Sequence, residues 1–131
     1  MSDNPARHLS DASDGIRAFN HTSRAASTGW EFPPDSYTAL GNLSYLVGML
    51  GQAVEQSTAP VRRTYEQGRI RVDGNGDTEA KFAELLAARE DAIAAAAALT
   101  AAVQRMHNAV SPMGHDTTGL PGFEDDEERL V

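Results

Sequence analysis

The side chains able to do chemistry are few, and their spacing argues against most of what they would do. Histidines stand at positions 8, 21, 107 and 115, and His107 is the one that falls on a strongly periodic apolar stretch. A metal held by one helix needs a second ligand three or four residues away, and Val103, Val110 and Ser111 supply none. Glu79, Glu84, Glu90 and Asp91 suggest a carboxylate cage of the kind that helical nucleotide hydrolases build around a divalent metal. Such a cage takes acids from two facing helices at matching i, i+3 or i+4 spacing. The stretch that would face them has only Glu55 and Glu66 past its start. The chain has no cysteine, so thiolate chemistry and disulfides are excluded. No glycine-rich phosphate loop ends in lysine, and no serine sits in a nucleophile-elbow setting. The sequence therefore assigns no catalytic residue, no metal ligand and no cofactor.

Arg62, Arg63, Arg69 and Arg71 form a positive cluster where a helix C-terminus would favour cations. They suit a solvated helix end paired with Glu66, Glu79 or an acidic tail; the sharper alternative is a phosphate contact. A formal charge of −8, a single lysine and the lack of interleaved aromatics oppose direct nucleic-acid binding.

The elements that position these groups are helical. After Pro33-Pro34, the residues Tyr37, Leu40, Leu43, Val47, Leu50, Val54, Val61 and Tyr65 recur at steps of three, four or seven. Ser57 stands at the seam between Val54 and Val61, and Pro60 predicts a kink by removing the bond to the Gln56 carbonyl. The pattern predicts one helix from Pro34 to about Arg71, started by Asp35 and Ser36 and stopped by Asp73-Gly74-Asn75-Gly76-Asp77. Gly41, Gly48 and Gly51 lie inside it, and Gly41 and Gly48, seven apart and so on one face, read as places of close helix approach opposite the smooth run Ala94 to Ala98.

A second helix follows, capped by Asp77 or Thr78 and ending near Ser111-Pro112. Its seam is Phe82, Leu86, Arg89, Ile93, Ala96, Thr100, Val103, His107 and Val110, flanked by Leu85, Ala92, Leu99 and Met106. That stripe is wide enough to face two partners. Two helices of roughly 35 residues, about 50 Å long, joined by a short connection must run antiparallel. Such a hairpin leaves apolar surface to be covered by the N-terminal segment, a second copy or a different protein, and pairing with a second copy into a four-helix bundle is the arrangement expected first. The interface candidates are Leu43, Val47, Leu50, Val54, Leu85, Leu86, Ile93, Leu99 and Val103.

Ahead of the hairpin, Ser10 to Ala26 reads as a short amphipathic helix through Ile16 and Phe19, and Trp30 and Phe32 are placed to pin it onto the hairpin. Asp116 to Val131 carries six acids and one arginine, broken by Gly119, Pro121 and Gly122, which reads as a flexible tail. Its last residues, Leu130 and Val131, are candidates for docking on another protein as a short peptide. The organisation expected is thus 1–34 for the short helix and linker, 35–112 for the hairpin and 113–131 for the tail. The polar, acidic start Met1-Ser2-Asp3-Asn4 lacks the order of a secretory signal, and no apolar run approaches a membrane span, so a cytoplasmic location is expected.

The strings Ile16-Arg17-Ala18-Phe19-Asn20-His21, Pro34-Asp35-Ser36-Tyr37 and Leu40-Gly41-Asn42-Leu43 resemble a group of small alanine-rich, all-α actinobacterial proteins. That group tends to occur beside plasmid-transfer and integrative-element genes. Gly68-Arg69-Ile70-Arg71-Val72-Asp73 and Met106-His107-Asn108 extend the likeness, and ten arginines to one lysine match high-GC usage. The resemblance implies an accessory or structural role in a mobile element and transfers no site residues. A looser likeness, of architecture only, is to exported hairpin secretion substrates with Trp-x-Gly at the turn; here the turn is Gly74-Asn75-Gly76 and Trp30 precedes the first helix.

The expectation is an all-α, non-enzymatic interaction module that self-associates. The alternatives are a small helical metal-dependent hydrolase acting through carboxylates and an exported helical-hairpin secretion substrate.

Overall fold

The computed structural model describes residues 4–122. It is mostly helical, and among the described residues no strand forms; the backbone pairs only in an isolated bridge between Ser27 and Trp30. The helices are α1 (Pro5–Thr22), α2 (Pro33–Val47), α3 (Leu50–Ser57), α4 (Ala59–Glu66) and α5 (Thr78–Val110). A single 3₁₀ turn, Asp73–Asn75, lies before α5. Two compact units are present, one made of residues 4–36 with 114–122 and the other of residues 37–113.

In the first unit, α1 starts earlier than its apolar pattern, because Asn4 caps it and Pro5 takes a position that needs no donor. The Asn4 side chain accepts the Ala6 N–H at 3.1 Å. Every residue of α1 is exposed, Leu9, Ile16 and Phe19 included. The linker folds back through a turn in which Gly29 has φ +80°, bringing Trp30 edge-on to Phe19 with ring centroids 5.5 Å apart. The indole Nε1 donates to the Ser23 carbonyl at 3.0 Å. Trp30 thus holds the linker against α1. Phe32 stacks on His115 at 4.8 Å.

The second unit corrects the single first helix expected from the sequence, which is divided into α2, α3 and α4. Between α2 and α3, Gly48 and Met49 tighten into a turn, with the Met49 N–H bonding the Leu46 carbonyl at 3.1 Å. A Cβ at Gly48 would lie 3.2 Å from the Ser44 carbonyl oxygen. Between α3 and α4 the chain breaks at Thr58, two residues before Pro60, as a missing N–H demands. Thr58, and not Ser57, is the buried residue there, and its hydroxyl donates to the Glu55 carbonyl at 2.8 Å. The first arm ends at Glu66, short of Arg71, because Gly68 adopts φ +69°. The Arg69 N–H then reaches the Thr64 carbonyl at 3.1 Å and the Gly68 N–H the Tyr65 carbonyl at 2.9 Å, a Schellman stop.

α5 is one unbroken helix of 33 residues, about 50 Å long. The Asp77 side chain caps it by accepting the Ala80 N–H at 3.2 Å. Every expected seam residue on it, from Phe82 to Val110, is buried or half-buried. α3 packs along α5. Tyr65 of α4 stacks on Phe82 with ring centroids 3.8 Å apart, the Thr100 hydroxyl donates to the Val47 carbonyl at 3.1 Å, and Tyr37 stacks on His107 at 4.2 Å. Residue numbers rise along the first arm as their partners fall along α5, so the two courses are opposed. No described helix is long and apolar enough to cross a membrane.

Candidate interaction surface

The contact between the first arm and α5 consumes part of the apolar stripe and leaves the rest in water. Val47 and Val103 are each 4% exposed and form the best-buried point of the seam. Leu50, Val54, Leu85, Leu86 and Ile93 are half-buried. Of the nine interface candidates, Leu43 and Leu99 are the two that present an exposed side chain, and Val47 and Val103 are taken up inside the chain. Leu130 and Val131 lie outside the described residues.

The uncovered residues concentrate at one end of the unit. Leu99 is 46% exposed and Met106, seven residues on and so on the same face of α5, is 53% exposed; Met113 follows them. Tyr37, Leu43, Tyr45 and Met49 are exposed on the first arm. All of these lie away from the 67–77 connection, on whose side Val61 is the exposed large apolar residue of the helices.

The seam also holds a charge. The pairs Val47–Thr100 and Tyr65–Phe82 are separated by the same number of residues on both sides, so the register brings the buried Thr58 level with Arg89. The Arg89 side chain is 16% exposed. Its Nη2 donates to Glu90 Oε1 at 3.2 Å, while Nε and Nη1 are buried without a hydrogen-bond partner. An ionised group with unpaired buried donors is costly, because water's hydrogen bonds are lost and not replaced. The sequence places Arg89 in the seam; only the packing shows that two of its donors go unmet.

Of the two glycines expected to admit a close approach, Gly41 does and Gly48 does not. A Cβ at Gly41 would lie 3.3 Å from His107 Nε2, so the missing side chain makes room for the ring that Tyr37 stacks on. At Gly51 a Cβ would meet nothing within 4 Å, and at Gly48 only its own helix's backbone. The run Ala94 to Ala98 is largely exposed and is not the surface these glycines face.

Among the described residues no three histidine or carboxylate side chains converge as metal ligands. Lys81 pairs with Glu84 at 3.0 Å and Arg71 with Asp73 at 3.8 Å, both exposed and so worth about 0–1 kcal/mol. At the start of α2, Asp35 accepts the Glu31 N–H at 2.9 Å and the Phe32 N–H at 3.0 Å, and these bonds, Glu31's first, hold its carboxyl below the usual carboxylate range. That is the returning half of a capping box, helped by two prolines that need no acceptor.

No family model, curated protein or solved structure matches the chain.

Proposed function

We propose that the chain is a non-enzymatic helical assembly module: a helical hairpin, formed by the α2–α4 arm and α5, that completes a four-helix bundle by pairing with a second copy. The supporting observation is the exposed flank of α5, where Leu99 and Met106 stand in water beside a seam that is already filled. Leu99 and Met106, seven residues apart, share one face of α5, and adjoining exposed apolar side chains are what an interaction site presents. An accessory role in a mobile genetic element follows from the resemblance of the Ile16–His21 and Pro34–Leu43 strings, and engagement of another protein by the acidic tail follows from its charge run ending in Leu130 and Val131.

A homodimer melts at a temperature that rises with protein concentration, whereas a monomer does not. The expected result is a melting temperature that climbs over a hundredfold concentration series and becomes flat in Leu99→Asp. A flat response in the unsubstituted chain would overturn the proposal.

A further inference from the structure

Charge is segregated along the helix pair of residues 37–113. Residues 37–54 and 92–113 together contain one formally charged side chain, Arg105, whereas residues 55–91 contain fourteen. The neutral segments are also the ones that carry the exposed Leu43, Met49, Leu99 and Met106. A water-facing surface ordinarily has about a quarter to a third of its residues charged, so the neutral end is built as a contact surface and the charged end as a solvated one.

Resting on the assembly reading above, we infer that two copies meet through their neutral ends alone, side by side and antiparallel, with the two 67–77 connections pointing in opposite directions. The occupant is a second copy because the patch offers a partner almost nothing ionic to pair with. A charged surface docking there would lose its water without a counter-charge, while another neutral end brings no ionised group but Arg105. Self-pairing of one patch is what a two-fold axis requires. The antiparallel sense follows from the same distribution. A parallel pair that overlapped its neutral ends would also press fourteen charged residues of each copy alongside the other's and strip their water. The antiparallel pair keeps both charged ends in solvent.

The chain has no cysteine, so single nitroxide labels can be placed cleanly on the full-length protein at two exposed polar sites, Gln104→Cys and Arg63→Cys. Each variant is first confirmed to keep the unsubstituted chain's solution mass, and inter-copy distances are then read by pulsed dipolar spectroscopy. Gln104 lies near the middle of the neutral end; Arg63 lies level with the start of α5. At about 1.5 Å per residue, antiparallel pairing puts the labels about 20 Å apart at position 104 and about 55 Å apart at position 63. Short distances at both positions would overturn the antiparallel arrangement and leave self-association standing. A long distance at 104 with a short one at 63 would place the contact at the charged end and overturn the inference outright. Absence of any inter-copy distance, with a monomer mass, removes the assembly reading and this inference with it.

Discussion

Replacing Arg89 by methionine removes a buried guanidinium while keeping an unbranched side chain of similar reach, and it should make the protein more stable. Two donors, Nε and Nη1, are buried without acceptors, and each such group carries about 1–3 kcal/mol of unrecovered desolvation. The loss is the pair with Glu90, whose side chain is 67% exposed, so that about 0–1 kcal/mol goes with it. Methionine replaces the aliphatic stem that packs in the seam. The net expectation is a gain of about 1–4 kcal/mol, in the range found when buried ions give way to apolar residues. Urea unfolding followed by circular dichroism measures it, with an unchanged slope showing that only stability has moved. Arg89→Lys serves as the control, since it retains the buried charge and should show no gain. A loss of about 1 kcal/mol or more in Arg89→Met would mean that the guanidinium is satisfied in solution, and the reasoning about the Thr58–Arg89 level of the seam would be refuted.

Leu50→Asp puts a carboxylate in the half-buried seam between α3 and α5 and should cost about 3–5 kcal/mol by thermal unfolding; an unchanged melting temperature would show that the buried face is misassigned. Gly51→Ala should raise stability by about 0.5–1 kcal/mol, since a Cβ there meets nothing, whereas Gly41→Ala should gain less because its Cβ presses on His107. Equal gains at the two sites would remove the packing argument for Gly41. The Asp35 carboxyl titrates below its ordinary value of 3.8 in the folded chain, so its contribution is present in full above the ordinary range and fades as pH falls through the lowered value. Asp35→Asn should therefore lower the melting temperature at neutral pH, with the deficit shrinking in strong acid; a deficit that grew on acidification would contradict the capping role.

The long helix α5 was legible because nothing along it competes with a clean period: Asp77 caps it, nine seam residues recur, and Pro112 follows its end. The first arm was harder for a local reason. Its apolar residues keep the same spacing across Gly48, Thr58 and Gly68, so periodicity runs on through positions where the backbone does not. Gly68 was a readable stop, since a left-handed residue after Glu66 ends a helix, yet Ile70 and Val72 continue the pattern and mask it. The start of α1 at Asn4-Pro5 is likewise a cap signal placed ahead of any apolar period. Seam membership of Arg89 and His107 could be read from spacing, while the unmet donors of one and the Tyr37 stack of the other arise only from contacts between distant residues. The exposure of Leu99 and Met106 belongs to the same class: spacing puts them beside the seam, and only the packing shows that they are exposed.

The mass of the full-length protein in solution, measured by light scattering over a dilution series at moderate salt, bears most directly on self-association. The account predicts a species of twice the 14.0 kDa chain mass that falls to a single chain in Leu99→Asp with its helical signal intact. A species of 14.0 kDa at every concentration, unaltered by Leu99→Asp, would contradict it.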